Sequence, residues 1–159
     1  MSNLNKLLQI LLKAELDFVI VGGFAGVVHG STRVTKDLDI CISMKPRDLD
    51  LLRTILSPYH PRHRMNPQSK MSFLEVPKTW DGLKNLYLET DLGILDVLGE
   101  ITGVGAFEKL KASSIVVELF SSACRVISID DLIISKRSMG RERDLLDAKE
   151  LEAIRAKQG

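Results

Sequence analysis

Cysteine is scarce in this chain: Cys41 and Cys124 are the only two in 159 residues. They are too few for a disulfide scaffold and show no metal-ligand spacing. Long apolar runs are missing as well. The longest, Phe18 to Val28, has 11 residues with three glycines among them, whereas a membrane span needs roughly 20. The N-terminal MSNLNKLLQILLKAELD has no Arg/Lys-led apolar core with a cleavage site, so it does not read as a secretory signal. Charge of one sign is not in excess either. Basic residues number 22 and acidic residues 21, a net +1, so no global field recruits nucleic acid or anionic membrane. Together these absences predict a cytoplasmic protein. What is present is ordinary: 45% apolar and 27% charged residues exclude a disordered chain. The length predicts one domain, 1–159, able to bury a core without staples.

Periodicity divides the chain. Leu4, Leu7, Leu8, Leu11 and Leu12 predict an amphipathic helix ending near Glu15. Phe18 to Val21 reads as a buried strand stopped by Gly22-Gly23, with a turn or two of helix over 24–29. Asp37 to Ser43 alternates strictly, with Leu38, Ile40 and Ile42 on one face. Pro46 opens a second helix. Residues 57–70 carry Pro58, Pro61 and Pro67 with Arg62, Arg64 and Lys70 and no acid, and read as a positively charged loop. Strands are expected over 86–90, 94–98, 115–119 and 125–129, and a short helix over 106–112. Ser128-Ile-Asp-Asp131 is a capping-box-like start of a helix ending near Gly140. A last helix follows, with Leu145, Ala148, Leu151 and Ile154 along one side.

The chemistry concentrates in a strand, a double glycine, a 13-residue spacer and two aspartates one residue apart. The backbone N–H groups of Gly22 and Gly23 are suited to an anion at a helix start, where a missing Cβ lets phosphate approach closely. Asp37 and Asp39, i and i+2 on a strand, share a face roughly 7 Å apart at the backbone. Asp96 lies inside the apolar run Ile94 to Leu98, where an acid is costly unless paired or bound to metal. If its strand pairs beside Asp37 and Asp39, three carboxylates meet in front of the glycine turn. Two metals about 3.5–4 Å apart would then clamp the attacking and leaving oxygens of a displacement at phosphorus. No Walker A loop or dinucleotide fingerprint is present.

Val21-Gly-Gly23, the spacer and Asp37-Leu-Asp39-Ile40 resemble the glycine-plus-paired-acid signature of the DNA polymerase beta-type nucleotidyltransferase superfamily. More narrowly, the chain resembles small bacterial nucleotidyltransferase-like proteins related to minimal nucleotidyltransferases and abortive-infection toxins. The matching stretches are His29-Gly30 with Arg33 and Thr35, then Thr90 to Gly99, then Asp131-Leu-Ile with Lys136, and Gly140-Arg141 with Asp144. The resemblance implies an α+β fold: a mixed, mainly antiparallel sheet with flanking helices and a short C-terminal helical part over about 130–156. It implies that Gly22, Gly23, Arg33 and Lys136 bind the nucleotide. Asp37 and Asp39 would bind Mg²⁺ or Mn²⁺, and Asp96 the second metal or the acceptor hydroxyl. Many relatives carry Ser at the place of Gly23, so backbone donors are left to hold phosphate here.

The implied activity is transfer of a nucleoside monophosphate from an NTP to a hydroxyl of a protein such as a toxin, a tRNA or a small molecule, releasing pyrophosphate. Two other readings compete. One is a catalytically degenerate binding module, acting as antitoxin or regulator. The other is a nucleic-acid binder using Arg62, Arg64 and the basic turn around Arg141, which the net charge weakens. Plainer roles are also weighed: Lys136, Arg137, Arg141 and Arg143 as a solvated helix face, and His29 as a packed histidine. Cys41 has no assignable acid–base partner to make it a nucleophile.

Overall fold

The computed structural model describes residues 3–65, 68 and 70–158; Pro67 of the expected loop lies outside the described residues. The chain runs α1 (Leu4–Lys13), β1 (Val19–Val21), α2 (Gly22–Val28), β2 (Asp37–Cys41) and α3 (Pro46–Leu56). A short 3-10 turn (Ser57–Tyr59) leads to β3 (Arg62–His63), β4 (Asn85–Thr90), β5 (Gly93–Leu98), β6 (Glu100–Ile101) and β7 (Gly105–Ala106). Then follow α4 (Phe107–Ser113), β8 (Ile115–Leu119), β9 (Ser122–Val126), α5 (Ile129–Met139) and α6 (Glu142–Gln158). Seven strands form one mixed sheet in the order β3-β4-β5-β2-β1-β9-β8, and β6 pairs only with β7. Within the large sheet β2–β5 and β1–β9 are parallel and the other pairs antiparallel. The expected α+β architecture is therefore the observed one.

Local chemistry explains the element ends. Asn3 caps α1 by accepting from the Lys6 N–H, and the helix buries Leu7, Leu8 and Leu11. Ser128 caps α5 by accepting from the Asp131 N–H, and Gly140 ends it in the left-handed conformation. Leu38 and Ile40 are fully buried, which turns the alternating aspartates of β2 to the other face. Among the described residues no helix is long and apolar enough to cross a membrane.

Four expectations need correction. The segment 57–70 is not all loop: Arg62 and His63 form an edge strand on β4, because their backbone completes the open edge at Glu89 and Leu88. The second strand of the β8–β9 hairpin starts at Ser122, not Arg125, because Phe120 and Ser121 both adopt positive φ and close a two-residue turn. Helix α2 begins at Gly22 itself. In α6 the buried row is Asp144, Ala148 and Leu151, while Leu145 is exposed. A carboxylate displaces a leucine from the packed side because two cations meet it there.

Candidate active site

Strand register brings the three acids together. Asp39 of β2 stands opposite Val21 on one side and Asp96 of β5 on the other, with Asp37 two residues along. Neighbouring strands lie about 4.8 Å apart, so Asp39 and Asp96 are adjacent on one face. Each of Asp37, Asp39 and Asp96 offers a carboxylate oxygen, and these atoms lie within 4.8 Å of one another. Gly22 sits beneath them with φ +66°, and a Cβ there would come 2.1 Å from Asp39 Oδ2. The first glycine is thus demanded by the aspartate as well as by any phosphate. At Gly23 a Cβ would meet Thr35 Oγ1 at 3.3 Å, and that hydroxyl donates to the Asp37 carbonyl at 2.9 Å.

The cluster is electrostatically uncomfortable. Asp39 Oδ1 is buried and has no hydrogen-bond partner among the described residues. Burial, with the neighbouring charges of Asp96 and Asp37, pushes the Asp39 carboxyl up to about 7. Burial also raises Asp96, against the opposing pull of Arg64. A hard divalent cation fits this set on two counts: the donors are all carboxylate oxygens, and one of them is buried without a partner.

Arg64, read in the sequence only as a nucleic-acid contact, belongs to the acid cluster, a place that sequence reading missed. It reaches from the end of β3 and grips Asp96 with both prongs, Nε to Oδ1 at 3.1 Å and an Nη to Oδ2 at 2.6 Å. The sole hint was a segment with three cations and no acid, whose partners had to lie elsewhere. They do: Arg62 pairs with Glu89 and Asp91, and Lys70 with Glu89. The positive charge of Arg62, Arg64 and Lys70 is therefore met by acids on or next to β4 and β5.

A cavity of about 780 Å³ opens over the acids and is lined by Gly22, Gly23, Arg33 and Lys136 as well. Both cations expected to meet nucleotide are tied to α6. Arg33 bridges to Asp147, and Lys136 Nζ lies 3.3 Å from Asp147 and 3.9 Å from Asp144. Asp144, wholly buried, also accepts from Arg141 Nε at 2.6 Å, and that guanidinium holds its carboxyl below the usual range. Arg137 pairs with Glu152, and Arg143 is exposed. His29 is a packed histidine, its Nε2 at 2.7 Å from the Ile127 carbonyl. Cys41 is fully buried and its thiol is pushed up to about 12, the opposite of an activated nucleophile.

Neither protein-family models nor curated protein sequences match this chain. Solved structures do. The chain is similar to the lincosamide antibiotic adenylyltransferase LnuA solved with lincomycin bound, at TM-score 0.63 and 17% identity, covering 95% of each chain. It is similar to an antigenic nucleotidyltransferase-like protein from Paracoccidioides brasiliensis, at TM-score 0.58 and 16% identity, over 94% of this chain and 72% of that one. It is also similar to ANT(2″)-Ia in complex with adenylyl-2″-tobramycin, at TM-score 0.52 and 14% identity, over 98% and 99% of the two chains. The chain shares the fold of these nucleotidyltransferase and nucleotidyltransferase-like structures.

Proposed function

We propose that this nucleotidyltransferase-fold chain is a metal-dependent enzyme that moves a nucleoside monophosphate from an NTP to a hydroxyl acceptor and releases pyrophosphate. The observation that carries the reading is the meeting of Asp37, Asp39 and Asp96 above Gly22, with one buried carboxylate oxygen left unpartnered. Such an arrangement costs stability and is tolerated where a ligand completes it. Asp37 and Asp39 are assigned to a divalent cation, Mg²⁺ or Mn²⁺, which when bound supplies positive charge to the phosphates. Gly22 and Gly23 leave room for the triphosphate, and Arg33 and Lys136 line its side of the cavity. The acceptor oxygen forms a bond to the α-phosphorus as the bond to the β-phosphate oxygen breaks. Asp96 takes the hydroxyl proton.

An NTP donor places this chemistry in the cytoplasm, where free buried thiols such as Cys41 and Cys124 persist. The acceptors of LnuA and ANT(2″)-Ia, lincomycin and tobramycin, make small hydroxylated molecules the first class to try, before protein toxins and tRNA. The test is single-turnover transfer from each α-labelled NTP with Mg²⁺, using small-molecule panels, tRNA and cell extract as acceptors. Labelling in the parent is expected. In Asp96→Asn it should fall at least about a hundredfold while NTP binding stays within a few-fold. Binding without any labelling would leave the catalytically degenerate module.

A further inference from the structure

Asp96 lines the cavity beside Asp39, but its carboxylate is paired where an Asp39 oxygen is not. Arg64 is held by backbone and side chain: its backbone N–H donates to the Tyr87 carbonyl at 3.0 Å, its guanidinium lies 5.6 Å from the Tyr87 ring centroid, and both prongs meet Asp96. Tyr87 stands directly across β4–β5 from Asp96, so backbone register delivers the arginine to the acid. Its side chain is only 25% exposed and that of Asp96 12%. A fork bound in this way is strong and geometrically exacting.

Charge arithmetic follows from this contact. With all three carboxyls ionised, as a bound cation requires, the acids carry −3 and Arg64 returns +1, leaving −2, the complement of a single divalent cation. A second divalent ion on Asp96 would have to break the two-pronged pair or sit against a fixed guanidinium in a poorly hydrated site, where like-charge contact is costly. Lys136 does not alter the count at Asp96, because it lies on Asp144 and Asp147. The partnerless oxygen is on Asp39, away from the arginine's grip.

We infer that Arg64 stands in the place of a second cation: the acid cluster holds one divalent ion, on Asp37 and Asp39, and Asp96 belongs to Arg64. The inference rests on the nucleotidyltransferase reading and replaces the two-metal clamp expected from the sequence. Arg64 acts through Asp96 and is a positioning residue.

The experiment counts Mn²⁺ on the full chain by loss of the free-ion EPR signal, with a non-hydrolysable α,β-methylene NTP bound one to one. One tight ion per chain is expected in the parent and in Arg64→Lys, and two in Arg64→Gln, where the cluster returns to −3. Two tight ions in the parent, or one in both the parent and a folded Arg64→Gln, would overturn Arg64's part and leave nucleotide chemistry standing. No tight ion in any of them, with or without nucleotide, would overturn the nucleotidyltransferase reading as well. Asp96→Asn gives a separate check should Arg64→Gln not fold. It is expected to retain one ion, since Asp96 is not a ligand, and losing that ion would sink the inference.

Discussion

Asp144 is wholly buried and Asp39 half-buried at the cavity with one oxygen enclosed, and the protein treats the two aspartates in opposite ways. Asp144 is met by Arg141 and Lys136, and its carboxyl is held below the ordinary range. Asp39 is met by Asp37 and Asp96, and its carboxyl is driven up to about 7. Burial pushes both carboxyls up and is the largest cause at Asp39, where the neighbouring acids add to it; at Asp144 the neighbouring cations outweigh it. The α5–α6 region completes its own electrostatics with Arg33, Lys136 and Arg141 on one side and Asp144, Asp147 and Glu150 on the other. That network ties the tail to the segment before β2. The acid cluster on β2 and β5 is left short of positive charge, and so it invites a ligand.

The largest effect that tests this contrast is chemical. Asp39→Asn should lower nucleotidyl transfer at least about a thousandfold, because charge stabilisation by a bound metal is worth several kcal/mol. It should also abolish the rise in melting temperature that Mg²⁺ or Mn²⁺ gives the parent with NTP present. A full metal shift in that variant would break the assignment of the cluster.

The next effect is on stability, and its sign separates the two aspartates. With a folded pKa near 7 against 3.8 unfolded, Asp39 binds its proton more tightly in the native state. The Asp39 contribution in the metal-free parent is then most favourable below about pH 4 and is lost as pH rises towards 7. Asp39→Asn removes that loss, so its advantage over the parent should grow by about 2–4 kcal/mol across this window. Asp144 runs the other way: its contribution is present above about pH 4 and is lost below it. Asp144→Asn should cost about 3 kcal/mol at neutral pH, as for a broken buried pair. Urea melts of both variants at several pH values, without metal, supply the check; the same sign for both would dissolve the contrast. The smallest effect belongs to the rim. Arg155 and Asp130 form an exposed pair, and Arg155→Ala should change the urea midpoint by less than about 0.5 kcal/mol.

Much of this arrangement is legible in the linear chain, for local reasons. Ser128 and Gly140 announce α5 because capping chemistry acts over three or four residues. Gly22, Asp37 and Asp39 are readable because strand alternation and a glycine stop are short-range patterns. Asp96 stands out as an acid inside an apolar strand. Arg64 does not, since its contact spans 32 positions and depends on Arg62 and His63 pairing with β4. The start of β9 is hidden because Phe120 and Ser121, not Asn-Gly, take the positive φ values of the turn. The burial of Asp144 in preference to Leu145 is equally hidden, for it depends on where Lys136 and Arg141 end up in space.

The row formed by Val21, Asp39, Asp96 and Tyr87 across β1, β2, β5 and β4 also bears on how the sheet assembles. A slip of one residue turns every side chain of a strand to the other face. For β2 such a slip would drive Asp37 and Asp39 into the layer now filled by Leu38 and Ile40, both wholly enclosed, and strand two carboxylates in hydrocarbon. The acids that burden the correct fold burden its misregistered rivals far more. The same residues that await a ligand thereby act as proofreaders of strand alignment while the chain folds.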